Sequence, residues 1–326
     1  MIGVIHHMHS RKMTESSRSS AFSSDGRQPL VSVGMLAFND QRYVALAIAD
    51  ILSQSFSDLE LIISDDCSED QTYSICRRFA DEDRRVRLFR QQTRLGMQKN
   101  YEFVLNQASG KYFMWASSDD RWDQNFVSLL VSAMEEDSNL ISVFSPFRFI
   151  DETGAPCAGR LGGVHTNRYS SKSAFLRLVH FCLFYSDAFF YGLHRKALVR
   201  DLQIPVWRGI NADIPANNNY PVLAYLLARG EYRSVGEAPL FLKRVHLHSE
   251  PRHSNQFAGR PILAHFAFLV RKVNVFYESI LAVRRGSQSL LFSMACVPLL
   301  LARCIYDCTV QTCYAVGQRL HSFVKN

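Results

Sequence analysis

Neither Gly-x-Gly-x-x-Gly nor Gly-x-x-x-x-Gly-Lys-Ser/Thr occurs anywhere in the 326 residues. Both patterns put backbone amides around phosphates, so a dinucleotide dehydrogenase and a P-loop NTPase are disfavoured. The eight cysteines form no Cys-x-x-Cys pair, and in a chain this long their spacing suggests no disulfide framework. A reducing cytoplasm is the simpler reading. Cys304 and Cys308 would share a helix face, but small buried thiols on an apolar helix explain them as well as a metal pair does. No apolar run reaches the ~20 residues that cross a bilayer. The longest, Leu290–Ala302, is broken by Ser293 and Pro298. No secretory signal stands at the N-terminus: residues 1–28, with His6, His7 and a serine-rich stretch from Ser16 to Ser24, read as a disordered leader. Internal repeats are also lacking.

What the chain does hold is ordinary globular material. Hydrophobic residues make up 47% and charged residues 21%, which excludes an extensively disordered or collagen-like protein. The length suits one large α/β domain, or a catalytic domain with an appendage. The net charge of +7 is unevenly placed. Residues 251–326 carry nine basic side chains (Arg252, Arg260, Arg271, Lys272, Arg284, Arg285, Arg303, Arg319, Lys325) against Glu278 and Asp307, while residues 1–250 balance. A basic excess confined to one apolar, helical tail points to an anionic membrane surface rather than to nucleic acid.

From Pro29 the chain alternates strand and helix. Leu30–Phe38 is a continuous apolar run, as expected for a strand buried on both faces of a parallel sheet. Asn39-Asp40 offers a helix cap before Val44, Ile48, Ile51 and Leu52 at helical spacing. Leu59–Ser64 is a second strand, ending in Asp65-Asp66. Asp70 offers the cap of a second helix, Arg85–Phe89 gives a third strand, and Met97–Gln107 a third helix. Tyr112–Ala116 is a fourth strand, ending in Ser117-Ser118-Asp119-Asp120. Farther on, Leu140–Ile150 reads as a strand, 155–170 as a loop, Phe175–Phe184 and Leu223–Ala228 as helices, and Glu237–Val245 as a strand. Residues 257–323 read as amphipathic helices broken at Gly286. This pitch predicts an α/β, doubly wound, mostly parallel sheet with helices on both faces and a C-terminal helical extension. Ligands of such a sheet sit at the carboxyl ends of its strands.

Two acidic clusters follow apolar strands, Asp65-Asp66 and Asp119-Asp120. One such pair is most simply a cap of the next helix or turn. Two pairs, each ending a buried strand of one parallel sheet, would open at the same edge and offer hard oxygen ligands to Mg²⁺ or Mn²⁺. A phospho-receiver domain also gathers acids at a sheet edge, but its first strand ends in acids where this one ends in Asn39.

The order of these pieces resembles the start of a family 2 glycosyltransferase of the GT-A fold. Asn39 follows the first strand, Ser53-Gln54-Ser55-Phe56 the first helix, and Ser64-Asp65-Asp66-Cys67-Ser68-Glu69-Asp70 closes the second strand. Gly96 and Asn100, then Ala108-Ser109-Gly110-Lys111-Tyr112, and finally Trp115–Asp120 match the family's later segments in sequence. The resemblance is strong over 29–125 and weaker to about 248. It implies a donor-binding half, 29–125, and an acceptor-side half, 126–250, of one domain. The last 75 or so residues lie outside it, and their charge and apolar spacing make 251–326 a basic amphipathic extension.

The resemblance also implies roles. Ala37-Phe38-Asn39 would hold the nucleotide, and Asp65, with Asp66 as its close alternative, would accept from the N3–H of uracil or thymine. The family's Asp-x-Asp becomes Ser117-Ser118-Asp119 here, so Asp119 would be the chief ligand of a divalent metal (Mn²⁺ or Mg²⁺), with Asp120 beside it. Ser117 and Ser118 fall among the nucleotide contacts. In Phe241–His246, Arg244 would meet phosphate and His246 the metal, although a lone histidine after a strand is more often a surface residue. The family's catalytic base precedes a segment like Leu223–Tyr232. Asp213 fills that role if 214–218 is an inserted loop, Asn219 occupies the position in an ungapped register, and Asp187 is an outside candidate. Trp122 and Trp207 could stack on a sugar, although core or rim packing is the more usual fate of a tryptophan. The implied activity is transfer of one sugar, with inversion, from a UDP- or dTDP-linked donor to an acceptor hydroxyl in cell-surface glycan assembly. The acceptor would be a glycan or a lipid-linked one, on the cytoplasmic face. The extension would contact an anionic membrane, pack back on the domain, or form a homodimer through 257–323. The rival function is a non-catalytic sugar-nucleotide binder or scaffold on the same fold.

Overall fold

A computed structural model describes residues 27–162, 171–183, 188–200, 219–236, 238–245, 276–277, 279–287 and 289–306. Nearly all of the expected leader, and residues 201–218 with Asp213, lie outside the described residues. The first half follows the alternation read from the sequence: β1 (Val31–Ala37), α1 (Val44–Leu52), β2 (Leu59–Asp65), α2 (Thr72–Glu82), β3 (Val86–Arg90), α3 (Met97–Gln107) and β4 (Tyr112–Ser117). The short β5 (Arg121–Trp122) and then α4 (Phe126–Glu136) follow. Strands β1, β2 and β4 are buried almost end to end, so the continuous apolar runs are explained by cover on both faces. Helix α1 buries Val44, Ala47, Ile48 and Ile51, and α3 buries Tyr101, Val104 and Leu105, each a stripe at helical spacing.

The second half holds β6 (Leu140–Phe144), β7 (Phe147–Ile150), β8 (Pro156–Gly162), α5 (Ala174–Leu183), β9 (Leu193–Arg195), the one-turn α6 (Lys196–Val199), α7 (Asn219–Arg229), β10 (Glu231–Ser234) and β11 (Phe241–Arg244). Seven strands form the main sheet in the order β10-β6-β9-β4-β1-β2-β3. Its pairs are parallel except those of β9, which runs antiparallel between β4 and β6. A second sheet, β5-β11-β7-β8, lies beside it.

Several expectations are corrected here. The strand expected over Leu140–Ile150 is two strands in two sheets. Pro146 has no N–H for a ladder, and the chain changes sheets at Ser145-Pro146, where Ser145 Oγ accepts the Leu240 N–H at 3.2 Å. The loop expected at 155–170 contains β8, which pairs antiparallel with β7. The strand expected over Glu237–Val245 shortens to β11. Strands β9 and β10, three and four residues long, carried no readable alternation.

Packing is aromatic at the centre. Trp115 stacks on Phe190 with centroids 4.6 Å apart, and Tyr101 meets Phe190 edge-on at 4.9 Å. His194, fully buried against Trp115, has its pKa pushed down to about 4 by desolvation. At the amino edge of the main sheet, buried Glu60 accepts Ser32 Oγ (2.6 Å), Ser109 N–H (2.8 Å) and Ser109 Oγ (2.6 Å), and pairs with Arg87 at 2.9 Å. The Ala108–Tyr112 lead-in therefore ties four strands together far from the carboxyl edge.

The described part of the extension is helical over 279–287 and 290–306. It packs on the domain through Val283, Cys296 and Leu300. At Gly286 a Cβ would stand 2.5 Å from the Tyr225 carbonyl oxygen, so only glycine allows this close approach to α7. Arg303 donates to the Cys182 carbonyl of α5 at 2.8 Å. The six described cysteines are free thiols.

Candidate active site

Three loops meet at the carboxyl edge of the main sheet. Pairing sets Ala37 opposite Asp65 and Leu36 opposite Ser117, so Phe38-Asn39, Asp65-Asp66 and Ser117–Asp120 leave the sheet on one side. The acidic groups that the sequence singled out in these three loops thus stand at one edge.

The neighbours Asp65 and Asp66 do different things. Both oxygens of Asp66 accept backbone N–H groups, from Leu95 at 2.6 Å and Gly96 at 3.0 Å. Gly96 has φ 78°, a left-handed conformation that suits glycine, and it opens helix α3. Asp66 therefore holds the β3–α3 loop. Asp65 Oδ2 accepts the Ser68 N–H at 3.2 Å and lies 3.7 Å from Arg90 Nε. Its Oδ1 is buried and has no hydrogen-bond partner among the described residues. A buried carboxylate oxygen without a donor is costly, which makes it a ready acceptor for a ligand N–H.

The loop after β1 is pinned sideways. Asn39, at φ 51°, donates its N–H to Ser68 Oγ (3.0 Å) and accepts the Glu69 N–H on Oδ1 (2.9 Å). Asp40 donates its N–H to Thr72 Oγ1 at 2.7 Å. The expected side-chain cap of α1 is absent: its N-cap residue is Tyr43, with no side-chain hydrogen bond. Asn39-Asp40 instead joins the first strand's end to the β2–α2 loop. Asp70, expected to cap α2, does accept the Thr72 N–H at 2.9 Å. Above this loop the Arg94 guanidinium lies 4.0 Å over the Phe38 ring.

At the end of β4, Ser117 Oγ donates to Asp119 Oδ1, and Ser118 Oγ donates to Asp40 Oδ2. Ser118, expected among the nucleotide contacts, is 1% exposed and holds the two loops together. Asp120, 2% exposed, accepts the Arg244 N–H on Oδ1 at 2.7 Å. Arg244, expected to meet phosphate, has its donors on protein groups. It is buried, its Nε and Nη1 donate to the Asp119 and Asp151 carbonyls (2.8 and 2.6 Å), and it stacks 4.5 Å over Tyr43. A desolvated guanidinium must place its donors on protein acceptors, and these carbonyls are the ones at hand.

The family 2 glycosyl transferase model matches residues 32–191, from the first strand through the turn before β9. This chain carries a family 2 glycosyltransferase domain. Among its relatives, the putative teichuronic acid biosynthesis glycosyltransferase TuaG of Bacillus subtilis is 30% identical over 129 residues, covering 40% of this chain and 51% of TuaG. The GalNAc(5)-diNAcBac-PP-undecaprenol beta-1,3-glucosyltransferase of Campylobacter jejuni is 35% identical over 109 residues, covering 33% of this chain and 35% of that one. The chain spans about half or less of the length of the curated relatives it matches. In structure it resembles S. aureus TarS 1–349, with a TM-score of 0.59 and 14% identity over 84% of this chain and 71% of that one. The glycosyltransferase domain therefore has the GT-A fold.

Among the described residues of this domain, no three His, Cys, Asp or Glu side chains converge as a metal cage. The donor set fits the other way of holding Mg²⁺ or Mn²⁺, in which one or two carboxylates are completed by substrate phosphates. Asp119 and Asp120 would be the two carboxylates of such a site. His246, Asp213, Asp187 and Trp207 lie outside the described residues. Helix α7 begins at Asn219, the residue of the ungapped register, and takes Pro221 in its first turn, where no intrahelical N–H is needed. Trp122, 5% exposed, stacks on Phe241 in the core, as its packing reading had it.

Sequence reasoning missed a group behind Asp120. The Lys243 ammonium lies 4.9 Å over Tyr191, next to Tyr101. Burial raises the Tyr101 pKa well above its ordinary value, and Tyr191 and Asp120 add to that rise. The only signal was the position of Lys243 just before Arg244. Arg90 and Arg94 at the base side were likewise passed over, since single arginines after a strand carry no pattern.

Proposed function

We propose that this domain transfers one sugar from a UDP- or dTDP-linked donor to an acceptor hydroxyl, with inversion, in the assembly of a cell-surface glycan. The observation that carries the reading is the buried, unpartnered Oδ1 of Asp65 at the carboxyl edge. Such an atom accepts the pyrimidine N3–H of uracil or thymine and not the N3 lone pair of cytosine. Half-exposed Arg90 lies beside it, and movement of that side chain opens the carboxylate to a base. The Ala37-Phe38-Asn39 turn and Ser117 line the nucleoside, and the cations Arg94 and Lys243 flank a path for the diphosphate. TuaG and the undecaprenol-linked relative give the glycan class, and TarS complexes with UDP and UDP-GlcNAc support the donor class. We read 29–250 as the catalytic unit, with 29–125 on the donor side, 126–250 on the acceptor side, and 251–326 as its extension.

The chemistry needs two things. As the anomeric bond breaks, its electron pair leaves with the nucleoside diphosphate, and the new negative charge must be stabilised. A divalent cation held by Asp119, with Asp120, and with His246 if it reaches the site, supplies that stabilisation when bound. The acceptor hydroxyl must also lose its proton as its oxygen attacks the face opposite the leaving group. Asp213 takes that proton, because the residue at the start of α7 is Asn219, whose amide has no basic site. Asp187 is the reserve base.

Thermal shift against a panel of nucleotide sugars, with and without Mn²⁺, tests the donor, since a ligand bound only by the native state raises the melting temperature. Turnover by Asp213→Asn tests the base. A donor that binds without any turnover in the intact chain would favour the binding-protein reading, which the serine at Ser117 of the metal motif keeps in view.

A further inference from the structure

The described helix over 290–306 is apolar on both faces: Cys296 and Leu300 are buried and Phe292 and Leu299 pack on the core, yet large apolar residues also face outward. Its exposed large residues are Leu290 (59%), Leu291 (81%), Met294 (60%), Leu301 (43%), Ile305 (57%) and Tyr306 (59%). The remaining exposed positions between them are Ala295, Pro298 and Ala302, so no exposed residue of this stretch is charged. Its few polar side chains point inward. Ser293, 4% exposed, donates to the Ser289 carbonyl at 2.6 Å, Cys296 is buried, and Arg303 reaches the Cys182 carbonyl. A helix on a water-facing surface keeps its apolar stripe toward the core and turns polar residues outward, which this one does not. Leu183, which follows that carbonyl on α5, is 61% exposed and lengthens the apolar surface at the far end.

Charge decides what covers it. Arg284 and Arg285 are exposed one turn before Leu290, and residues 251–326 hold nine basic side chains against two acidic ones. Apposing two copies of this face would bring two strongly positive extensions together. An anionic lipid surface complements the charge and takes up the apolar side chains at once. The helix runs about 25 Å, and no described helix is long and apolar enough to cross a membrane. We propose that Leu290–Tyr306 docks in the plane of an anionic bilayer interface, with Leu290, Leu291, Met294, Leu301 and Ile305 among the acyl chains and Arg284 and Arg285 at the phosphates. This surface stands independently of the transfer reading, since it needs neither donor nor acceptor.

Flotation of the full chain with vesicles tests it without any enzymatic readout. The chain is expected to float with vesicles of phosphatidylcholine and phosphatidylglycerol at low salt, to float less as salt rises, and to stay down with phosphatidylcholine alone. Leu291→Glu with Met294→Glu, both at exposed positions, should lower the bound-to-free ratio by about tenfold or more, with an unchanged melting temperature. If that variant fails to fold, Arg284→Gln with Arg285→Gln serves instead, at about fivefold for each charge removed. An intact chain that ignores anionic vesicles at low salt, or variants that float as well as the parent, overturn the proposal. A dimeric mass in solution that the glutamate variant makes monomeric, with no flotation of the parent, gives the face to a second copy.

Discussion

Asp65→Asn and Asp66→Asn form a matched pair of perturbations whose outcomes should be opposite. Asp65 engages the protein weakly: Oδ2 meets the Ser68 N–H at 3.2 Å and lies 3.7 Å from half-exposed Arg90, and Oδ1 meets nothing among the described residues. Replacing it with asparagine removes a buried charge without removing a strong bond, so the melting temperature should barely move. The loss falls on the ligand. A hydrogen bond to a charged acceptor contributes about 1.5–3 kcal/mol, which is about ten- to a hundredfold in Kd. The amide can also present its NH₂ toward the base, a polarity that suits cytosine. The ratio of UDP to CDP affinity should therefore fall further than UDP affinity alone. Asp66 is the reverse case, because both its oxygens hold N–H groups at the mouth of α3. An amide there turns a donor against one of those N–H groups, at a cost of about 1–3 kcal/mol in stability. Calorimetric titration with UDP, dTDP and CDP, beside thermal melts of both variants, reads all four quantities. Unchanged UDP affinity in Asp65→Asn, or lost affinity in Asp66→Asn at full stability, would refute the assignment.

Asp119→Ala should abolish sugar transfer and the Mn²⁺-dependent part of nucleotide affinity together; full turnover in excess chelator would leave Asp119 as a turn residue. Stability should depend on pH through His194. Its folded pKa of about 4 lies below the unfolded value of about 6.5, so its contribution is fully present above pH 6.5 and is lost as the pH falls from there toward 4. The loss amounts to about 3 kcal/mol, and urea titrations should show the stability difference between the parent and His194→Leu moving by about that amount in the variant's favour as the pH falls across that window. Glu60→Ala should cost about 3–5 kcal/mol, because it leaves Arg87 and the Ser32 and Ser109 donors without their buried partner; a urea midpoint within error of the parent would show that the network contributes nothing.

Much of the donor half was legible because each of its signals is local. A strand covered on both faces must be apolar throughout, so β1, β2 and β4 could be found from Leu30–Phe38, Leu59–Ser64 and Tyr112–Ala116 to within a residue or two. Helix α3 was read with its bounds unchanged, since Gly96 before it and Ala108 after it close the periodic stretch. Parallel strands joined by helices must end on one side, and that alone placed Asp65 and Asp119 at one edge. Strands β9 and β10 escaped because segments of three or four residues are made by their neighbours in the sheet, not by their own pattern.

The sequence by itself determined the alternation of elements, the identity of the acidic edge and the resemblance to family 2 glycosyltransferases, all of which are carried by neighbouring residues along the chain. Only the tertiary structure decided what each side chain at that edge does. Asp65 and Asp66 are adjacent and chemically identical, yet one secures two amides of a distant loop and the other keeps a buried oxygen unpartnered, because the loop at Leu95-Gly96 comes back over one of them alone. Arg244 looks like a phosphate ligand in the sequence and is instead folded onto the Asp119 and Asp151 carbonyls. In the extension, spacing showed amphipathic helices, but which side of the 290–306 helix faces the domain was fixed by tertiary contacts: Cys296 and Leu300 are buried, Arg303 reaches the Cys182 carbonyl of α5, and Leu290 and Leu291 lie outside. Hydrogen bonds and burial are made between segments far apart in sequence, and their partners are set only when the chain has folded.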